Sequence, residues 1–135
     1  MRAVVTRVKN ASVEISGKVN GSIGQGFLVL LGVGPGDTEE QAAKLADKIC
    51  GLRVFEDEAG KMNRNLEAVA GSLLVVSQFT LYADTKKRRP GFTGAAKPDL
   101  AEPLYRTFMA DCEALGFHVE HGEFGADMQV FSQND

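Results

Sequence analysis

At 135 residues with a formal net charge of -3 at pH 7, the chain has the length of one domain and lacks the basic excess of a general nucleic-acid binder. Its 44% hydrophobic and 24% charged residues are typical of a folded globular protein and exclude a largely disordered chain. No stretch approaches the ~20 apolar residues that a membrane helix needs, and the segment Met1–Val8 alternates and carries charge, unlike a signal peptide. We therefore expect a cytoplasmic domain without a membrane partner.

The first quarter of the chain is predicted to form β-strands. Residues 2–9 and 12–16 alternate in polarity and are separated by Asn10-Ala11, which indicates a first hairpin. Asn20-Gly21 tolerates positive φ at both positions and indicates a second, tight hairpin. The continuous apolar run Phe27–Leu31 lies between glycines and predicts a strand that is buried on both faces.

Two helices are predicted from capping residues and apolar spacing. The first begins at Asp37 or Thr38 and runs to about Cys50, and the second begins at Pro98-Asp99 and ends before Gly116. Each carries a stripe of apolar residues, and the first stripe would lie on the sheet. The stripes are Ala42, Leu45, Ala46, Ile49 and Leu52 in the first helix, and Leu100, Leu104, Phe108, Cys112 and Leu115 in the second. Since Cys50 and Cys112 lack the close spacing of a metal or redox pair, both are predicted to be buried, reduced thiols.

The remaining strands surround these helices. Arg53–Phe55 is predicted to be a strand followed by a polar loop over 57–65, and Ser72–Val76 is a second fully apolar strand. Residues 117–121 and 128–131 would close the chain as strands. Together these elements predict a single α+β domain in which a curved or barrel-like, mainly antiparallel β-sheet carries two main α-helices.

Polar residues follow the apolar strand that ends near Val76. In the segment Ser77–Leu81, polar side chains and free backbone N–H groups could face a ligand, although the same pattern fits a strand end that only satisfies its own turn. Strand alternation would place Phe79 on the same side as Leu73 and Val75, so this ring is expected to support a pocket from beneath.

Residues 83–98 are rich in Lys, Arg, Gly and Pro and show no apolar period, which is typical of a long functional loop. The loop contains the densest charge run of the chain: Lys86, Lys87, Arg88 and Arg89. Such a run forms either an ordinary solvated loop or a phosphate-binding one.

Several segments together resemble the D-aminoacyl-tRNA deacylase family over essentially the whole chain. They are Met1–Val8, Ser77–Leu81, Arg89–Phe92, Ala95–Pro98 and Gly122–Met128. The resemblance implies an enzyme that hydrolyses the ester of D-aminoacyl-tRNA, or of mischarged glycyl-tRNA, and so proofreads chirality in translation. No cluster of residues has metal-ligand spacing, so no metal or cofactor is expected.

The resemblance also implies where the substrate binds. The family is a homodimer whose active site forms at the subunit interface and receives the 3′-terminal adenosine of the tRNA. By this similarity Ser77, Gln78, Phe79 and Thr80 would be the catalytic residues.

With a tRNA 3′ end as the substrate, charged and aromatic residues outside that segment become candidates for binding or support. The basic residues 86–89 would contact phosphates of the acceptor stem, with Tyr82 or Phe92 available for stacking, and Arg7 would support the dimer interface near the site. The family's Gly-Pro pair follows Asn-Asp, so the domain over 1–135 is expected to stop just before it, at Asn134-Asp135.

The chemistry predicted from the residues is attack by water. A Thr80 nucleophile would need a base, but before Lys86 the local sequence offers only Asp84 and no His or Lys. His118 and His121 would point to opposite faces of a strand. An aminoacyl ester is already activated, so a positioned water and backbone N–H groups could suffice. The resemblance implies in addition that the tRNA 2′-hydroxyl assists the attack, with Thr80 orienting rather than attacking. Two alternatives remain: a non-catalytic tRNA-binding module on the same fold, and a small-molecule esterase, for which no triad is visible.

Overall fold

The computed structural model describes residues 1–135 as eight strands, two α-helices and one short 3-10 helix. The strands are β1 (Arg2–Ile15), β2 (Lys18–Ile23), β3 (Gly26–Gly32), β4 (Phe55–Glu56), β5 (Met62–Arg64), β6 (Ser72–Ser77), β7 (Val119–His121) and β8 (Gln129–Asn134). The helices are α1 (Glu39–Gly51), α2 (Pro98–Ala114) and the 3-10 helix (Phe79–Tyr82).

Six of the strands form one curved sheet in the order β2-β1-β3-β6-β7, and β8 pairs with β1. β1 runs antiparallel to β2, β3 and β8, whereas β6 runs parallel to both β3 and β7. The Asn20 side-chain amide donates to the His121 carbonyl at 2.7 Å, which brings β2 beside β7 and almost closes the sheet. The predicted α+β fold with a barrel-like sheet and two helices is confirmed, and its strand pairing is mixed.

The core lies on both faces of the central strands β3 and β6. One face packs under the two helices, where Phe27 and Leu73 meet Ile49 of α1 and Phe108 of α2. The other face fills the inside of the curved sheet with a smaller apolar cluster: Val8, Ala11, Val13, Ile23, Leu28, Leu74 and Val76. Both central strands are therefore buried on two sides, as their continuous apolar runs predict.

Both predicted N-terminal hairpins are wrong in detail. The segment predicted as a turn at Asn10-Ala11 lies inside the single long strand β1, which pairs with β3 as far as Val8, with β2 from Ala11 onward, and with β8 from Val8 onward. The real turn is at Ser16-Gly17, where both residues have positive φ, 51° and 76°. Asn20-Gly21 lies within β2 instead, because a Cβ at Gly21 would come within 2.8 Å of the His121 carbonyl and only glycine permits that approach.

Other elements differ less from the prediction. The polar stretch 57–65 contains β5, which pairs with β4 as a short antiparallel hairpin. Thr38 caps α1 as expected, with Gln41 completing the capping box. In α2 the predicted stripe is buried except at its ends, and Leu115 is 48% exposed.

Cys50 and Cys112 are both buried and free, as predicted, and the packing of α1 on α2 brings them into contact. The hydrogen bond with Cys50, followed by burial, raises the pKa of the Cys112 thiol, so this thiol stays protonated. None of the helices has the length and apolar content that a membrane crossing requires.

Candidate active site

The candidate site begins where β6 changes into the 3-10 helix. The Gln78 N–H donates to the Leu31 carbonyl at 2.8 Å, and this bond continues the ladder with β3 past the end of β6. The next residues coil: the Leu81 N–H donates to the Gln78 carbonyl at 3.2 Å. Phe79 and Thr80 start this helix, so neither N–H has an acceptor inside it. Two adjacent backbone donors therefore lie at the strand end.

A cavity of about 580 Å³ lies against this strand end. It is mainly apolar and is built from four parts of the chain: Val33 just after β3, the β6 terminus with Phe79, the loop before α2 with the first turns of α2, and the segment before β8. Its walls are Val33, Ser77, Phe79, Phe92, Thr93, Ala95, Ala96, Lys97, Pro98, Ala101, Phe124, Gly125, Ala126 and Met128. The volume is that of a small-molecule or nucleotide-sized site.

The four predicted catalytic residues are adjacent, but their side chains have different surroundings. Ser77 and Phe79 line the cavity, whereas the Gln78 side-chain amide donates to the Thr80 hydroxyl, and neither of these two side chains forms a wall. This bond fixes the Thr80 side chain, which fits an orienting role better than a nucleophilic one. Their assignment as catalytic residues stays a prediction.

The expected position of Phe79 in the core is wrong. Strand alternation stops at Ser77, because the chain coils into the 3-10 helix there, and Phe79 is 55% exposed. Its ring packs edge-on against Phe92 with 5.3 Å between the centroids. The two rings form one exposed aromatic wall of the cavity.

Sequence reasoning missed most of the remaining cavity walls. They come from the stretches 93–98 and 124–128, which consist largely of small or non-periodic residues. Similarity to a protein family marks these segments in the sequence. However, no spacing of residues along the chain indicates that they lie beside Ser77. Long-range packing of the α2 start against Val33, where the Ala96 N–H donates to the Val33 carbonyl at 2.9 Å, brings them there.

The basic run Lys86–Arg89 forms the exposed tip of a closed loop. Asp84 and Gly91 pair through two backbone hydrogen bonds of 2.8 and 2.9 Å, which hold the base of the loop next to Phe92. None of the four cations forms an ion pair within the chain. Four exposed cations without an ion pair therefore lie on a loop whose base adjoins Phe92, a residue of the cavity wall.

Arg7 lies apart from the predicted catalytic segment in this chain. Its guanidinium donates to the carbonyls of Val54 at 2.6 Å and Asp135 at 3.0 Å. In the sheet Arg7 is paired with Phe27, four residues along β3 from Leu31, which pairs with Ser77. Its role as a support of a dimer interface stays a prediction.

The cavity walls contain no His, Asp or Glu side chain. Lys97 is the only ionisable residue among them. His118 and His121 are exposed and make contacts elsewhere, to the Glu120 carboxylate at 3.0 Å and to the Gly122 carbonyl at 2.6 Å. No group of His, Cys, Asp and Glu side chains is arranged to hold a metal ion. The chemistry available at this site is therefore that of backbone donors, hydroxyls and bound water.

Comparison with known proteins supports the resemblance seen in the sequence. The family model for D-Tyr-tRNA(Tyr) deacylase matches residues 4–135. The chain belongs to this deacylase family. It is 59% identical to the D-aminoacyl-tRNA deacylase of Exiguobacterium sibiricum and 55% identical to that of Symbiobacterium thermophilum. These matches cover 100% of this chain and 94% and 90% of the two relatives.

A solved structure has the same fold as this chain. The c-Myc DNA Unwinding Element Binding Protein superposes with a TM-score of 0.94 at 40% identity, covering 100% of this chain and 93% of that chain. Membership of a deacylase family confirms the prediction that the chain is a hydrolase.

Proposed function

We propose that this chain hydrolyses the ester that links a D-amino acid, or mischarged glycine, to the 3′-terminal adenosine of tRNA, as chiral proofreading in translation. The observation that carries the proposal is the pair of backbone donors at Phe79 and Thr80 beside a 580 Å³ cavity with no His, Asp or Glu in its walls. A site of this kind suits an activated ester, which needs a positioned water and a stabilised oxyanion more than a strong nucleophile.

In the proposed reaction the ester carbonyl lies at the end of β6. The N–H groups of Phe79 and Thr80 bind the oxygen on which negative charge develops when water attacks. The 2′-hydroxyl of the terminal ribose takes the proton of the attacking water and passes its own proton to the 3′-oxygen, which leaves as the ester C–O bond breaks, so the products are the free amino acid and tRNA with a 3′-hydroxyl. Ser77, in the cavity wall, and the Thr80 hydroxyl, held by Gln78, orient the reactants.

The exposed aromatic and basic groups support recognition of the tRNA end. Phe79 and Phe92 offer ring faces or edges to a base in the cavity, and the tip Lys86–Arg89 offers charge to the acceptor-stem phosphates. A homodimer is also proposed. Apolar side chains exposed on β1 and β8, at Val4, Val130 and Phe131, support such an interface.

The proposed function is tested by the lifetime of the ester. With protein in excess over D-Tyr-tRNA, we expect the half-life of the ester to become much shorter than in buffer, and free D-Tyr to appear at the same rate. A non-catalytic tRNA-binding module would leave the half-life unchanged or lengthen it by shielding the ester from water. That result would contradict the proposal.

The basic tip is tested by its dependence on salt. In the double variant Lys86→Gln/Lys87→Gln we expect KM to rise and kcat to stay the same, because only phosphate contacts are lost. The slope of log(kcat/KM) against log salt concentration should become shallower by roughly 1.5, the value for two lost contacts.

A matched control carries the same change of charge elsewhere. Lys48 and Lys61 are exposed, make no ion pair and do not line the cavity, so Lys48→Gln/Lys61→Gln should keep the salt slope of the unchanged protein. Equal slopes in both double variants would assign the basic run to an ordinary solvated loop.

A further inference from the structure

We propose that Arg2 and Tyr82 form a clamp that positions the 3-10 helix, and with it the two backbone donors at Phe79 and Thr80, for the reaction. This inference rests on the proposed function above, and it assigns to Arg2 and Tyr82 a positioning role rather than contact with the substrate. The clamp joins the start of β1 to the end of the helix Phe79–Tyr82.

The first part of the clamp is the Arg2 guanidinium. It donates to the Leu81 carbonyl at 3.0 Å, which is one of the C-terminal carbonyls of the 3-10 helix. The same guanidinium lies over the Tyr82 ring, 4.4 Å from its centroid. One cation therefore contacts both the backbone and the last side chain of the helix.

The second part is the surface beneath the Tyr82 ring. A Cβ at Gly34 would lie only 3.0 Å from the Tyr82 hydroxyl and 3.2 Å from two ring carbons, so the ring rests directly on the backbone after β3. Burial, followed by the nearby Asp37 carboxylate, raises the pKa of Tyr82. The ring is therefore held between the Arg2 guanidinium and glycine backbone, and it stays neutral at physiological pH.

The 3-10 helix needs contacts with the rest of the protein to hold its position, because it is very short. It has only four residues, none of them buried, and few internal hydrogen bonds. Its N-terminal end is fixed by the Gln78 bond to β3, and its C-terminal end is fixed by Arg2 and Tyr82. A shift of the C-terminal end would turn the donors at the other end away from the developing oxyanion.

The clamp is tested with Arg2→Ala, Arg2→Lys and Tyr82→Leu. We expect Arg2→Ala to lower kcat for D-Tyr-tRNA about tenfold with KM within about twofold, because geometry and not binding is disturbed. Arg2→Lys should recover most of this loss, since it keeps a cation over the ring. Combining Arg2→Ala with Tyr82→Leu should cost little more than either change alone, since the two residues act as one unit.

Two results would overturn the clamp. One is an unchanged kcat in Arg2→Ala. The other is a fall in kcat that accompanies a fall in Tm of more than about 5 °C and is not recovered by Arg2→Lys, which would show a merely structural role. As a control, Arg106→Ala removes a surface arginine whose partner is Glu102 on the same helix, and it should change neither kcat nor Tm appreciably.

A second readout separates this inference from the proposed function. Hydrogen exchange at the amides of Leu81 and Ala83, which donate to the Gln78 and Thr80 carbonyls at 3.2 and 3.1 Å, reports the helix directly, without any substrate. We expect faster exchange there in Arg2→Ala and an unchanged rate in the core strand β6. If the unchanged protein hydrolyses no D-Tyr-tRNA but this exchange effect is present, the proposed function fails and the clamp of the helix stands. If Arg2→Ala leaves these exchange rates unchanged, the clamp is overturned, whether or not the protein hydrolyses D-Tyr-tRNA.

Discussion

Phe79→Pro is expected to lower kcat for D-aminoacyl-tRNA hydrolysis by about 10²–10³-fold relative to Phe79→Ala, which is the usual effect of removing one oxyanion donor. Proline at this position has no N–H, and the first residue of a helix is where its ring is best tolerated. Gln78, the residue before it, has φ -142° and ψ 81°, outside the helical region that a following proline disfavours. The change therefore removes a donor with little expected cost to the fold.

The comparison with Phe79→Ala makes this prediction specific. Both variants lose the ring that packs on Phe92, and only the proline variant loses the N–H. Thermal unfolding of the two proteins checks that both are folded, and single-turnover rates with D-Tyr-tRNA give the effect on the chemical step. Similar rates in the two variants would show that the Phe79 N–H does not stabilise the transition state.

Gly26→Ala is expected to reduce the free energy of unfolding by more than about 3 kcal/mol, which places it among the most damaging single substitutions. A Cβ at Gly26 would lie 1.9 Å from the Ser72 carbonyl oxygen, and φ is +157°. Gly26 pairs with Val8 on one side and with Ser72 on the other, at the point where β6 begins. The strand that leads into the active site would have to move away from β3.

Gly24→Ala is the matched control for this change. The two glycines are two residues apart, and a Cβ at Gly24 meets no atom within 4 Å. Urea unfolding of the three proteins should therefore show a large loss for Gly26→Ala and a small change for Gly24→Ala. Equal losses would show that the close approach to Ser72 does not determine the effect of Gly26→Ala.

The parts of the fold that sequence predicts well are those with a strong local signal. The strand over Phe27–Leu31, the apolar strand ending near Val76 and both helices follow from apolar runs, apolar spacing and capping residues. The prediction of a turn at Asn20-Gly21 is wrong because this pair has a strong local turn signal but lies within β2 in the folded sheet. Its glycine serves the close approach of β7, a contact about 100 residues away that local pattern cannot reveal.

The candidate site is likewise predictable only where the local sequence carries a signal. Ser77–Thr80 could be singled out because polar residues follow a buried strand. The far walls of the cavity could not be placed, since residues such as Ala96 and Gly125 carry no chemistry and reach the site only through the packing of α2 and the segment before β8. The contact of Arg2 with Leu81 joins residues 79 positions apart and gives no sequence signal either.

The most direct test of the central claim is release of D-Tyr from D-Tyr-tRNA supplied in large excess over the protein, with L-Tyr-tRNA measured in parallel. Hydrolysis by this chain predicts that each protein molecule releases many molecules of D-Tyr, well above the spontaneous rate, and that L-Tyr is released more slowly. Release that stops at one D-Tyr per protein, or that does not exceed the rate in buffer, would contradict the assignment of deacylase activity to this chain.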